Sequence, residues 1–256
     1  MELKGKTILI TGGTAGIGLE AVKQFLEAGC KVIVTGRNQA KLDEAKRKYP
    51  GIVAINSDAG NFSDAKSLLA QVADLGGIDI LYNNAGIFGK PDNLGVSSDI
   101  HYEKAKEEID INYLGVIHMN NLFMDMLKSR NEAAIINVSS FLSHLPLTLS
   151  PTYSASKAAV RFYTVALRDH LKMINSNVKV FELQPPVVAT EMTKDFQSDK
   201  MSPEDLVKGL ISSLRNDTYT IRLGLTKAIY YLNRFFPGFA NKLLNPAKAN
   251  GPLLKS

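Results

Sequence analysis

Thr11-Gly12-Gly13-Thr14-Ala15-Gly16-Ile17-Gly18-Leu19 joins a short apolar run, Thr7–Ile10, to an amphipathic stretch near 17–28. Glycines at 12, 16 and 18 of such a strand-to-helix junction have separate uses. The first permits a tight turn, the second lets backbone approach a diphosphate at the helix start, and the third lets helix pack on strand. The N–H groups of that helix end attract an anion. A glycine cluster alone can be no more than a turn, but a strand before it and a helix after it favour a dinucleotide site.

The same alternation continues in both directions from that turn. Further strand-like runs are Lys31–Thr35, Ile52–Asn56, Ile78–Tyr82, Ala133–Ser139, Val178–Leu183 and Thr218–Arg222. Helical patterns fall between them, near 38–48, 61–75, 99–128, 152–174 and 203–215, the last opened by Ser202-Pro203-Glu204-Asp205 with Pro at the first helical position. Strands alternating with helices predict βαβ units, so the seven strands form one buried parallel sheet, doubly wound, with helices on both faces. No linker divides residues 1–256, which are read as a single domain. Ligands are then expected beyond the carboxyl ends of the strands, where the strand order reverses.

Composition narrows the function class. The chain has 256 residues, 45% apolar and 21% charged, with a net charge of +5, and no repeat or low-complexity tract. The positive charge lacks a basic stripe or a reading motif, so nucleic-acid binding is not expected. The first residues run straight into a strand pattern with no apolar export segment, which makes cytoplasmic residence the default expectation. Cys30 is the one cysteine and cannot form an internal disulfide; it reads as a small core residue.

Three further strand ends suit a dinucleotide. Gly36-Arg37-Asn38 follows the second strand, where a carboxylate reads a free ribose 2′-hydroxyl and an arginine accommodates a 2′-phosphate; Arg37 favours NADP over NAD. Asp58, after the third strand, either accepts from an adenine amino group or caps the helix beginning near Asn61. Asn83-Asn84-Ala85-Gly86, after the fourth, places two short amides and a glycine where ribose and nicotinamide would pass, although such a run in isolation is an ordinary turn.

Tyr153-Ser154-Ala155-Ser156-Lys157 sets a phenol and an ammonium one helical turn apart on one face. A neighbouring cation lowers the pKa of a phenol and makes it a usable acid or base. Taken with Ser140 and Asn112, the glycine turn and Asn83-Asn84-Ala85-Gly86, the chain strongly resembles the short-chain dehydrogenase/reductase family over residues 5 to about 190. The resemblance implies a single-domain Rossmann fold and a catalytic group of Ser140, Tyr153, Lys157 and Asn112. Tyr153 would donate a proton to a carbonyl oxygen or take one from an alcohol, and Lys157 would lower the phenol's pKa and grip the nicotinamide ribose. Ser140 would stabilise charge on the substrate oxygen, and Asn112 would hold a water in a proton relay to Lys157. Cofactor contacts are expected from Gly12, Thr14, Gly16, Ile17, Gly18, Arg37, Asp58, Asn84, Ala85, Gly86, Tyr153, Lys157, Val188 and Thr190, with no metal. The family also implies a homodimer or homotetramer.

One stretch departs from the family pattern. Pro185-Pro186-Val187-Val188-Ala189-Thr190 has proline where the family commonly has glycine, which fixes φ and removes an N–H. This variant, with the aromatic tail, resembles a bacterial subgroup associated with D-alanyl-lipoteichoic acid genes. Two segments are expected to shape the substrate pocket: Phe141–Leu147, which contains His144, and a lid over 191–202, which contains Met192 and Phe196. Both are largely apolar and lack arginine, so an apolar ketone or aldehyde, reduced reversibly with NADPH, is the expected substrate. His144 is not expected to be catalytic. The C-terminal extension 227–256 mixes aromatics with cations and is too short and polar to span a bilayer. Packing within the chain or between subunits ranks first for it, and contact with an anionic membrane second. The alternative from another class is an NADP-binding sensor without catalysis; such proteins typically lose the tyrosine or the lysine, and both are present here.

Overall fold

A computed structural model describes residues 1–89 and 94–246. Seven strands, β1 (Thr7–Thr11), β2 (Lys31–Gly36), β3 (Val53–Asn56), β4 (Ile80–Asn83), β5 (Ala133–Val138), β6 (Val178–Gln184) and β7 (Thr220–Arg222), form one sheet in the order β3-β2-β1-β4-β5-β6-β7. Every pair is parallel, with Ile8 beside Val32 on one flank and Ile80 on the other. The order reverses between β1 and β4, which opens a crevice at their carboxyl ends.

Because both faces are covered, the strands are predominantly apolar, and side chains alternate between two cores. Ile8, Ile10, Val32 and Val34 pack with Phe25, Leu206, Leu210 and Leu214 on one face. Leu9, Ile33 and Ile135 pack with Leu68, Phe123, Leu127 and Leu171 on the other. The covering helices are α1 (Gly16–Glu27), α2 (Gln39–Lys48), α3 (Phe62–Asp74), α4 (Asp99–Ile109), α5 (Gly115–Lys128), α6 (Pro151–Met173) and α7 (Pro203–Arg215). Pro203 stands in the first turn of α7, and Ser202 caps it by accepting from the Asp205 N–H at 3.0 Å.

Two differences from the sequence reading have physical causes. The helix expected over 99–128 is interrupted by a π-helical turn, Asp110–Leu114, between α4 and α5. The extra residue in that turn accompanies an inward Asn112, whose amide is fully buried and bonded to the backbone of Ile87. The C-terminal segment, for which no secondary structure was expected, forms α8 (Leu225–Phe235) and α9 (Pro237–Leu244), with Pro237 opening the second. Residues 247–256 of the expected extension lie outside the described residues.

Candidate active site

The glycine turn sits at the crevice and is held by side chains from β1 and β4. Thr11 Oγ1 accepts from the N–H groups of Asn84 and Ala85, both at 3.0 Å, and Asn84 Nδ2 donates to the carbonyls of Thr11 at 3.0 Å and Gly12 at 3.2 Å. Two glycines are indispensable. Gly12 has φ +65°, and a Cβ there would lie 3.0 Å from the Ala85 Cα; a Cβ on Gly18 would lie 2.3 Å from the Gly12 carbonyl oxygen. Helix α1 then begins without a side-chain cap at Ala15 and with no carboxylate in its first turn. Its first N–H groups therefore face the crevice without an intrahelical acceptor, which fits a phosphate group. By contrast α2, α3, α4 and α7 are capped by Asn38, Asn61, Ser98 and Ser202.

Two neighbouring clefts share Gly12, Ala85 and Gly86. One is lined by Thr14, Gly36, Arg37, Asn38, Lys41 and Asp58. The other is lined by Gly16, Ile17, Gly18, Ser140, Tyr153, Lys157, Val188 and Thr190. Together they bring every anticipated residue except Asn112 to one crevice, and Asn112 stands immediately behind it. Arg37 is more than half exposed, with Nη1 3.5 Å from Glu107 Oε1, so the guanidinium already has a screened acidic neighbour. Asp58 does not cap α3; Asn61 does, and the Asp58 carboxylate accepts from the Gly60 N–H at 2.9 Å. The side chain of Asn84 serves as a strut between β4 and the glycine turn.

Ser140 follows β5 and opens a short 3₁₀ turn, Phe141–Ser143, accepting from the Leu142 N–H at 3.1 Å. Tyr153 and Lys157 project from the first turns of α6. Lys157 is buried, donates to the Val138 carbonyl at 2.9 Å, and lies 5.7 Å from the centroid of the Tyr153 ring. Burial pushes the Tyr153 phenol up to about 12, against which a hydrogen bond with Ser140 pulls down. Burial likewise lowers Lys157 to about 8, with the Glu108 carboxylate pulling up. The expected lowering of the phenol by Lys157 is therefore a correction: desolvation dominates here, and Ser140 rather than Lys157 provides the opposing effect. At neutral pH this leaves a protonated phenol beside a charged ammonium.

The Asn112 amide is held by neighbouring protein atoms. Its oxygen accepts from the Ile87 N–H at 2.8 Å, and its nitrogen donates to the Ile87 carbonyl at 2.9 Å and to Ser156 Oγ at 3.2 Å. A Cβ on Gly86 would lie 3.2 Å from Asn112 Oδ1 and 3.4 Å from Lys157 Nζ. Asn112 thus clamps residues 86–87 against Lys157, and its side chain is satisfied by protein atoms. Below the site, Ser139 donates to Glu182 at 2.6 Å and Gln184 to the same carboxylate at 2.8 Å, fixing the end of β5 to β6.

The Pro185-Pro186 loop reaches the crevice despite its departure from the family pattern. Phe141 N–H donates to the Pro185 carbonyl at 3.0 Å, and Val188 pairs with Met201 in a parallel bridge in which Met201 N–H donates to the Val187 carbonyl and Ala189 N–H to the Met201 carbonyl, both at 2.9 Å. The Thr193 hydroxyl donates to the Val188 carbonyl, and Thr190 opens a short 3₁₀ turn, Glu191–Thr193. Phe88 and Lys41 were not anticipated. Phe88 stands edge-on to Tyr153 at 4.8 Å and to Phe196 at 5.4 Å, linking the loop after Thr190 to the phenol. Lys41 stands four residues beyond Arg37 at the start of α2, a spacing that could have flagged it. His144 contacts Gln184 at 2.9 Å and the Tyr230 ring at 5.0 Å, and burial drives it down to about 4. Cys30 is buried, donates to the Leu3 carbonyl, and has its thiol pushed up to about 11 by desolvation.

A parallel sheet with an uncapped helix at its switch point, facing a serine, a tyrosine and a lysine, defines a dinucleotide-dependent oxidoreductase class. The chain belongs to the short-chain dehydrogenase/reductase family, whose profile, described as short chain dehydrogenase, matches residues 6–201. It is 33% identical over 229 residues to the uncharacterized oxidoreductase DltE of Bacillus subtilis, covering 84% of this chain and 86% of that one. It is 30% identical over 224 residues to a 3alpha-hydroxysteroid dehydrogenase of Mediterraneibacter gnavus, covering 84% of each. Among solved structures, a short chain dehydrogenase from Burkholderia cenocepacia in complex with NADP superposes with a TM-score of 0.84 at 26% identity, covering 95% of this chain and 99% of that one. The chain is an NAD(P)-linked oxidoreductase by family. Among the described residues no helix is long and apolar enough to cross a membrane, and no cluster of metal ligands occurs.

Proposed function

We propose that this protein reduces an apolar ketone or aldehyde with NADPH, and oxidises the corresponding alcohol in reverse. The observation that carries the reading is the convergence of Ser140, Tyr153 and Lys157 on one crevice, with a phenol held protonated at neutral pH. A bound nicotinamide supplies or accepts the hydride. Gly12, Thr14, Gly16, Ile17 and Gly18 would hold its diphosphate, and Ala85, Gly86, Val188 and Thr190 its nicotinamide end. Tyr153, as the protonated acid, gives its proton to the carbonyl oxygen during reduction. Ser140 donates a hydrogen bond to the same oxygen as charge develops there. The Lys157 ammonium would grip the nicotinamide ribose, and Asn112 keeps the wall at 86–87 against it, as a positioning residue.

The preference for NADPH rests on Arg37 and Lys41 lining the adenosine end, with no carboxylate in Gly36-Arg37-Asn38. The apolar substrate class rests on Val138, Pro185, Pro186 and Met192 in the lining, together with Phe88 and Phe196 beside Tyr153. Residues 191–202 act as the lid of this pocket. Exposed Phe162 and Val165 on α6 suit the self-association of a homo-oligomer. The test is a titration with NADPH and NADH followed by a panel of apolar carbonyls. NADPH should bind at least tenfold tighter, Arg37→Ala should narrow that ratio, and Tyr153→Phe should lower turnover by roughly 10²–10⁴-fold with NADPH affinity kept. Unchanged turnover in Tyr153→Phe removes the mechanism, and equal affinity for both nucleotides removes the cofactor preference.

A further inference from the structure

The charge of this chain is divided unevenly. The last carboxylate in the sequence is Asp217. Residues 218–256 carry Arg222, Lys227, Arg234, Lys242, Lys248 and Lys255 and no acidic residue, a net +6. Subtracting this from the total of +5 leaves the first 217 residues at −1. The whole positive excess therefore belongs to the C-terminal segment.

The same segment shows a large apolar face. Phe235 is 66% exposed, Phe236 63%, Phe239 62%, Leu243 64% and Leu225 58%. Along α8 the exposed Ala228, Tyr231 and Phe235 follow at helical spacing, with Lys227 and Arg234 on the adjoining border of that stripe. On α9, Phe239 and Leu243 are one turn apart, with Lys242 beside them and Ala240 turned inward. The opposite side of this pair is anchored to the body of the protein. Asn233 donates to the His144 carbonyl at 2.7 Å, Asn245 donates to the Pro146 carbonyl at 3.0 Å and accepts from the Thr148 N–H at 2.7 Å, and Arg222 stacks over Tyr230 at 3.9 Å. The apolar face is thus fixed outward on a segment tied to the turn that begins at Ser140.

We infer that α8 and α9 form a docking surface for an anionic lipid bilayer, lying in the headgroup plane with Phe235, Phe236, Phe239 and Leu243 inserted. Aromatic rings bordered by cations match a bilayer interface, where rings sit at headgroup depth and cations meet lipid phosphates. The charge argues against a second copy as the occupant. Twofold pairing sets a patch against itself, and here it would set cations against cations with no carboxylate in the segment to offset them.

The experiment is flotation of the full-length protein with phosphatidylglycerol-containing vesicles and with phosphatidylcholine vesicles, at low and high salt, alongside light scattering. The expected result is flotation with the anionic vesicles only, weakened by salt. Phe235→Ser/Phe239→Ser and, separately, Lys227→Glu/Arg234→Glu should each reduce the bound fraction on the order of tenfold or more, with NADPH-dependent turnover in solution kept. Failure of the wild type to float overturns the inference, as does flotation unaffected by both double substitutions. Dissociation of a homo-oligomer by the phenylalanine substitutions also overturns it, by assigning the face to a second copy.

Discussion

The two sides of the crevice are built on different terms. The cofactor side consists of backbone, glycines and short amides packed to the limit, so that an added methyl group at Gly12 or Gly18 meets backbone at 3.0 Å or less. The side proposed for substrate consists of side chains carried on loops: Phe88, Met192 and Phe196, with Met192 47% exposed. A ligand part common to a whole class of enzymes is met by geometry with no slack, whereas a variable substrate is met by replaceable surface.

The sharpest challenge to that contrast is Gly18→Ala. Its Cβ would fall 2.3 Å from the Gly12 carbonyl oxygen and 2.6 Å from Asn84 Nδ2, so the strut between β4 and the turn must shift. The expected outcome is a loss of about 2–4 kcal/mol in stability and at least tenfold weaker NADPH binding. Denaturant melts and a fluorescence titration measure both. Wild-type values in both would mean that the turn yields easily and the contrast fails.

The contrast also explains what could be read from the sequence. Gly12, Gly16 and Gly18 are legible because one conformation admits few residues, and Tyr153 and Lys157 because helical spacing converts a sequence interval into a direction in space. Short apolar runs alternating with amphipathic stretches made the parallel sheet legible for the same reason. The balance of effects at Tyr153 was not legible, because desolvation depends on everything packed around the hydroxyl, and burial outweighs the Ser140 hydrogen bond here. Phe88 escaped notice because its partner, Phe196, lies over a hundred residues away, and no spacing rule connects two loops. The break at Asp110–Leu114 was hidden inside a continuous helical pattern and becomes intelligible only from Asn112 gripping Ile87. Helices α8 and α9 were missed because each is short and Pro237-Gly238 breaks the run between them, so the segment reads as an interrupted tail.

Lys157 sharpens the comparison energetically, because the cofactor side carries a buried cation that works against folding. Its pKa falls from an ordinary 10.5 to about 8. Below pH 8 folded and unfolded chains are both protonated and the burial penalty is felt in full. Between about 8 and 10.5 the folded chain has released this proton while the unfolded chain keeps it, so this group's contribution makes stability rise with pH. Lys157→Met should therefore abolish turnover yet stabilise the protein by roughly 2–3 kcal/mol at pH 7, with the gap from wild type closing as pH approaches 10. Paired melts of the two proteins at several pH values isolate this group from the buried phenols and Cys30, which titrate in the same alkaline region. A gap that does not vary with pH would mean that Lys157 is not held as a strained cation.

The smallest effect is expected on the opposite side, at Phe196. Its ring touches Phe88 edge-on, and Phe88 in turn touches Tyr153, so truncation removes apolar contact from the pocket without disturbing the sheet. Phe196→Ala should leave stability within about 1 kcal/mol of wild type and NADPH affinity unchanged, while KM for an apolar carbonyl rises several-fold. Turnover at saturation should stay within about twofold, because a loop residue that binds substrate equally in the ground and transition states changes KM alone. If kcat falls instead and KM holds, the Phe196–Phe88 pair is aligning Tyr153 for proton transfer. The substrate side would then share the rigidity of the cofactor side, and the difference between them would lie only in which residues impose it.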